Sequence, residues 1–244
     1  MRTYLKYVFF LLGCVCSSFN KAQIPSLDWA KVFSGYGSVS RIHDIESTIT
    51  GKILVLGFYG DTIDFDPGVG NQKLFSKFGS NFLLQLTPSG GFSWVTQFNT
   101  NIGAVFSPKE LAVDNQGNIF IAGNFRNGWV DFDPSPATFT LNSSAFYSEG
   151  FLLKLDPQGN FVWVKQFNGD IEINDLQVDA FQNIYLAGAF GSPTDFDPGP
   201  SSALFQTQNG AYNGFVLKIS PGGAFRWVKT FSGNALSEIN EVKV

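Results

Sequence analysis

The sequence predicts an all-β protein assembled from repeated four-stranded antiparallel units. Three observations carry this reading. Asp64-Phe65-Asp66-Pro67 returns as Asp131-Phe132-Asp133-Pro134 and Asp195-Phe196-Asp197-Pro198, at offsets of 67 and 64 residues. Trp29, Trp94, Trp163 and Trp227 keep the same beat, at spacings of 65, 69 and 64. A glycine follows an apolar run at Gly57, Gly123 and Gly188. Markers sharing one phase mean one supersecondary unit copied about every 65 residues.

Composition agrees with the repeat. The chain has 244 residues, 44% of them hydrophobic, enough for a substantial core. Phe, Val, Ile and Gly are abundant and helix formers scarce, which favours strands. Phe is the dominant aromatic, with 27 copies.

Residues 1–22 stand apart and read as a secretory signal peptide. Arg2 and Lys6 precede a short apolar run from Tyr7 to Cys16, and Ser17, Ser18 and Ala22 supply small residues before Gln23. A spanning helix needs roughly 20 apolar residues, so no membrane span is predicted. The expected destination is secretion or the cell surface. The alternative is a lipoprotein anchored through Cys14, since Leu11-Leu12-Gly13-Cys14 resembles a lipobox. Both cysteines, Cys14 and Cys16, lie in this segment, so its removal leaves packing alone to hold the fold. The segment carries three basic residues and no acidic one. Its loss moves the formal net charge from −4 to −7, which argues against nucleic acid and anionic membrane partners.

The strands follow in order. Residues 27–35, around Trp29, match the fourth strand of each later unit: Phe92 to Phe98, Phe161 to Phe167 and Phe225 to Phe231. Three units then occupy about 40–100, 101–170 and 171–233, and residues 236–244 match a first strand. In the middle unit, Lys109 to Asp114 is the first strand, and Asp114-Asn115-Gln116-Gly117-Asn118 is a tight turn. Ile119 to Phe125 is the second strand, followed by the Asp-Phe-Asp-Pro loop. Gly150 to Leu155 is the third strand. Asp156-Pro157-Gln158-Gly159-Asn160 turns the chain into the fourth.

Patterning selects the architecture. Ile119-Phe120-Ile121-Ala122 and Phe151-Leu152-Leu153 are apolar on both faces, whereas a strand with one wet face would alternate. Short antiparallel sheets buried on both faces stack against one another, and four-stranded sheets stacked radially make a β-propeller. The predicted fold is a β-propeller-type repeat array: three full four-stranded blades plus one split partial blade, from strands 27–35 and 236–244. Lys31, Lys165 and Lys229 share one fourth-strand position, where lysine discourages edge pairing. Three blades and two stray strands close a ring poorly, so further blades of the same protein are the expected partner.

Leu176-Gln177-Val178-Asp179, Asn183-Ile184-Tyr185-Leu186-Ala187-Gly188, Gly214-Phe215-Val216-Leu217-Lys218-Ile219 and the Trp-Val-Lys strand resemble the SBBP repeat. This is a bacterial β-propeller repeat of secreted proteins, common in the Bacteroidota, and the Asp-Phe-Asp-Pro insertion resembles a variant in that phylum. The resemblance spans roughly residues 27–244. It implies the fold and a secreted address, and it is nearly silent on activity.

The candidate site residues are the three carboxylate pairs: Asp64 and Asp66, Asp131 and Asp133, Asp195 and Asp197. In an extended strand, residues i and i+2 share a face, so each pair would set two carboxylates side by side. Ca²⁺ suits such a pair if loop carbonyls complete its six to eight oxygens. The competing reading is a β-turn, in which Asp, Pro and Gly each have a conformational reason to stand. No catalytic residue is predicted. A carboxylate pair can do glycosidic acid–base work, but an active site occurs once, whereas this motif occurs three times. His43, the only histidine, has no partner at motif spacing. The repeated tryptophans read as core. The expected function is a secreted, non-enzymatic scaffold binding protein or glycan. The alternative is an extracellular polysaccharide hydrolase or its accessory propeller.

Overall fold

Every predicted four-strand unit becomes an antiparallel meander. The computed structural model describes residues 30, 33, 35–36, 40–66, 68–143, 147–207, 210–233 and 236–244. The chain divides into residues 1–30 and 31–244. All of the first part but Ala30 lies outside the described residues, including the expected signal segment, Cys14 and Trp29. The described residues are all-β, with no helix.

The first meander is β2 (Arg41–Ser47), β3 (Ile53–Asp64), β4 (Lys73–Leu86) and β5 (Phe92–Gln97), preceded by the short β1 (Gly35–Tyr36). After β6 (Asn99–Thr100), the second meander begins with β7 (Val105–Val113) and β8 (Ile119–Arg126). It makes a detour through β9 (Gly128–Asp131) and β10 (Thr140–Ser143), and ends with β11 (Glu149–Leu155) and β12 (Phe161–Phe167). The third is β13 (Gly169–Val178), β14 (Ile184–Asp195), β16 (Asn213–Ile219) and β17 (Phe225–Phe231), with β15 (Leu204–Phe205) beside β14. Strand order is sequential within each meander and all pairings are antiparallel. The first strand of the middle unit, β7, starts at Val105, a few residues before the expected Lys109. Each first strand contains a bulge.

The bulges explain the repeated glycine. Register shifts between Ile42 and Asp44, Pro108 and Glu110, and Ile173 and Asp175. There the first strand pushes a carbonyl towards the second. A Cβ on Gly57, Gly123 or Gly188 would strike the backbone oxygen of Arg41, Ser107 or Glu172. Only glycine tolerates this approach. The tight turns repeat as well. Thr48, Asp114 and Asp179, then Thr87, Asp156 and Ser220, each accept the backbone N–H four residues on, at 2.8–3.1 Å.

The meanders stack face to face. Leu54, Leu56 and Leu83 of the first share a core with Ile119, Ile121 and Leu153 of the second. The opposite face of the second, through Phe120, Ala122 and Leu152, meets Ile184, Leu186 and Leu217 of the third. The middle sheet is therefore buried on both sides, as its unbroken apolar runs require. Each such side chain contributes roughly 1.5–3 kcal/mol on burial. Trp94 and Trp163 pack against these two cores, and Trp227 is half-exposed beside Tyr185.

Backbone pairing locks neighbours together. The chain entering each unit pairs beyond the middle of its second strand: Gly35 of β1 with Ile63 of β3, Thr100 of β6 with Val130 of β9, and Gly169, at the start of β13, with Thr194 of β14. Residues 236–244 lie along the third meander in first-strand register. Ser237 N–H donates to Tyr212 O, and Ile239 N–H to Gly188 O. Among the described residues the strand expected there is not formed: these two bonds are isolated and make no ladder. Of the expected strand 27–35, only Ala30, Phe33 and Gly35 are described. Phe33 packs against the first meander's outer core, as Phe98 and Phe167 do in the next two cores.

Candidate functional site

The three Asp-Phe-Asp-Pro segments do one job in the same way. Each strand ends on the first aspartate, which pairs with a residue nine positions on: Asp64 with Lys73, Asp131 with Thr140, Asp195 with Leu204. Oδ1 of that aspartate accepts two N–H groups. For Asp64 they come from Asp66 at 3.1 Å and Gln72 at 2.9 Å. For Asp131 they come from Asp133 and Phe139, and for Asp195 from Asp197 and Ala203, at 2.8–3.1 Å. The second aspartate then caps the next turn. Asp66 accepts from Gly68, Asp133 from Ser135, Asp197 from Gly199, at 2.7–2.9 Å.

This geometry differs from two carboxylates side by side on a strand. The chain leaves the extended conformation at the first aspartate, so each carboxylate serves its own turn. Pro67 lies outside the described residues. Between the aspartates, Phe65, Phe132 and Phe196 point inward and are fully buried. Each meets two rings of its own meander at 4.6–5.7 Å: Tyr59 and Phe82, Phe125 and Phe151, Phe190 and Phe215. The motif is a carboxylate hook with an aromatic plug. The N–H groups of Gln72 and Asp66 hold the Asp64 carboxyl below the usual range. Any Ca²⁺ at these pairs would share Oδ1 atoms that already accept two N–H groups, and would need several loop carbonyls besides. No group of three or more His, Cys, Asp or Glu among the described residues is arranged to hold a metal ion.

In an antiparallel meander, the loop between strands two and three and the connector out of strand four leave from the same end. All three hooked loops and all the connectors therefore gather at one end of the stack. There, a cleft of about 400 Å³ lies between the β3–β4 hairpin and the connector 99–104. Phe58 and Phe78 form its aromatic wall, with Gln97, Asn99, Thr100 and Ser76 among the polar lining. No lining residue carries a charge. A second hollow, of about 440 Å³, shares Phe58, Phe78 and Gly79 and adds Asp61 and Lys77.

Among the described residues the Phe58 half of this wall is not repeated, whereas Tyr147 stands at the place of Phe78 in the second unit. Register places Phe58 where the other units carry Asn124 and Ala189. In the first unit Ser80 comes seven positions after Lys73, against nine from Thr140 to Glu149 and from Leu204 to Asn213. The shorter loop makes a continuous hairpin and sets Phe78 at its rim, 70% exposed. Gly79, at φ +82°, lets the Phe58 ring lie across it, where a Cβ would collide. Sequence reasoning weighed what the repeats share and so passed over this departure. The signal was the missing pair of residues.

A third feature is an acidic row. Asp44, Glu110 and Asp175 stand at one register position of the three first strands. Asp44 accepts the Leu111 N–H at 2.8 Å, and Asp175 accepts the Val242 N–H at 2.6 Å. These carboxylates tie β2 to β7 and β13 to the segment 236–244. Glu110 lies between them. Burial, then the charges of Asp44 and Asp175, push its pKa up to about 7 against the opposing pull of Lys109. His43 is exposed on β2, with Asn81 as its hydrogen-bond partner.

No protein-family model matches the chain, and no curated protein matches it. No helix among the described residues is long and apolar enough to cross a membrane.

Proposed function

We propose that the three meanders are blades of a β-propeller of the SBBP type, and that the protein is a secreted, non-enzymatic scaffold that binds a glycan or protein at its loop-bearing end. One observation carries this reading: the same hooked loop is built three times at one end of the stack, and clefts open there beside the first and third. Repetition supports a structural role for the carboxylates, since a catalytic pair would occur once. The acidic row is likewise shared by the units, and Asp44 and Asp175 are engaged by backbone N–H groups of β7 and of the segment 236–244. The first cleft falls within the 300–1,000 Å³ range of small-ligand sites.

The test separates binding from turnover. Purified full-length protein is incubated with extracellular polysaccharides and cell-surface proteins, and bound material is recovered and analysed. Retention of a chemically unchanged partner is the expected result. Release of new reducing ends would favour the hydrolase alternative and overturn the scaffold reading.

A further inference from the structure

We infer that the cleft of the first meander binds a neutral oligosaccharide, with the Phe58–Phe78 ridge as its stacking platform. This rests on the scaffold reading and names its ligand class.

The chemistry of the lining selects the class. A sugar ring presents an apolar C–H face and a rim of hydroxyls that both donate and accept. Phe58 and Phe78 offer rings without polar atoms, suited to the C–H face. Amide side chains offer donor and acceptor together, suited to the hydroxyl rim. The side chains of Ser76, Asn99 and Thr100 make no hydrogen bond among the described residues, whereas Gln97 already accepts the Tyr59 hydroxyl. Asn99 and Thr100 keep their places because their backbones pair with β9. The free polar groups are therefore carried on fixed backbone.

Charge narrows the class further. The cleft lining is neutral, so it offers no counter-ion to a uronate, sulfate or phosphate group. The chain around it carries a formal charge of −4, which disfavours an anionic glycan. Phe78 at the rim and the second hollow beyond it let a chain of sugars pass over the ridge. Contiguous exposed apolar surface marks interaction sites, and Phe75, at 63% exposure, lines the second hollow beside Phe58 and Phe78.

The test is titration calorimetry of the full-length protein against a panel of neutral oligosaccharides, with acidic oligosaccharides and an apolar peptide as separate arms. Binding in the neutral arm is expected. Phe78→Ala should weaken it about tenfold, the factor that roughly 1.4 kcal/mol of lost stacking produces. Phe78 is exposed, so the variant should fold as the parent does. Asn99→Ala should also weaken binding. Phe181→Ala, an exposed aromatic in a turn at the opposite end, should leave it unchanged. Neutral-glycan binding that ignores Phe78→Ala would sink the cleft assignment and leave the scaffold reading standing. Binding confined to the acidic or peptide arm, or absent from every arm, overturns the ligand class. Cleavage of the sugars would overturn the scaffold reading itself.

Discussion

Asp131 shows what a single repeated side chain does. It is almost fully buried, and its Oδ1 accepts the N–H groups of Asp133 and Phe139. Asp131→Ala leaves both donors without that partner and should destabilise the protein by about 2 kcal/mol in urea unfolding. Asp133→Ala, at a more exposed turn, should lose less. Equal losses would show that the hook does not hold the loop. Phe132→Ala empties the plug and should cost about 3–5 kcal/mol. Calcium tests the other reading of the same residues: a ligand that binds only the native state raises its melting temperature. Excess Ca²⁺ should leave the melting temperature nearly unchanged, and a large rise that Asp133→Ala abolishes would restore the metal reading.

Glu110 makes a prediction of its own. Its pKa moves from an ordinary 4.5 to about 7 in the fold, chiefly through burial. The native state therefore holds a proton that the unfolded state releases earlier. The contribution of Glu110 is fully present below the unfolded value and is lost as pH rises through the folded one. Glu110→Gln cannot ionise. The variant should melt higher than the parent at about pH 8 and level with it at about pH 4, on either side of that window. A gap of the same size at both pH values would mean that ionisation is not its cause.

Among the elements, the meanders were legible in the sequence because their markers have hard physical causes. Gly123 is fixed by the Ser107 carbonyl at the bulge, so Gly123→Ala should unfold the protein or cut its yield sharply. Soluble, fully stable Gly123→Ala protein would mean that the bulge is not as described. Ile119 to Ala122 read as buried on both faces, and the structure places those faces in two cores. Less was legible where partners come from another unit. Asn124 donates to Ile171 O and accepts from Ile173 N–H, a bridge between meanders with no local pattern to announce it. The bulges were hidden for the same reason: a bulge shows only once the partner strand is known. The carboxylate pairs were found, but their i, i+2 spacing suggested one shared face. The actual geometry turns on where β3, β9 and β14 end. The Phe58–Phe78 ridge escaped because a comparison of repeats highlights what recurs.

At the scale of the molecule, the middle meander defines what a full set of neighbours looks like. Leu111 is 2% exposed, and Leu176, its counterpart in the third unit, is 1%. Ile45, at the same place in the first unit, is 56% exposed. On the other flank, Phe231 is 49% exposed, while Phe98 and Phe167 are buried. In a stack where each unit contacts only its neighbours, stability is a sum of unit and interface contributions, and an outer face lacks one interface. Local opening should follow the same gradient. Native-state hydrogen exchange of the full-length protein, read strand by strand, tests this stacking most directly. The stacking predicts the slowest exchange in β8 and β11, with protection falling outward to β2 on one flank and β17 on the other. Protection in β2 and β17 equal to that in β8 and β11 would contradict it.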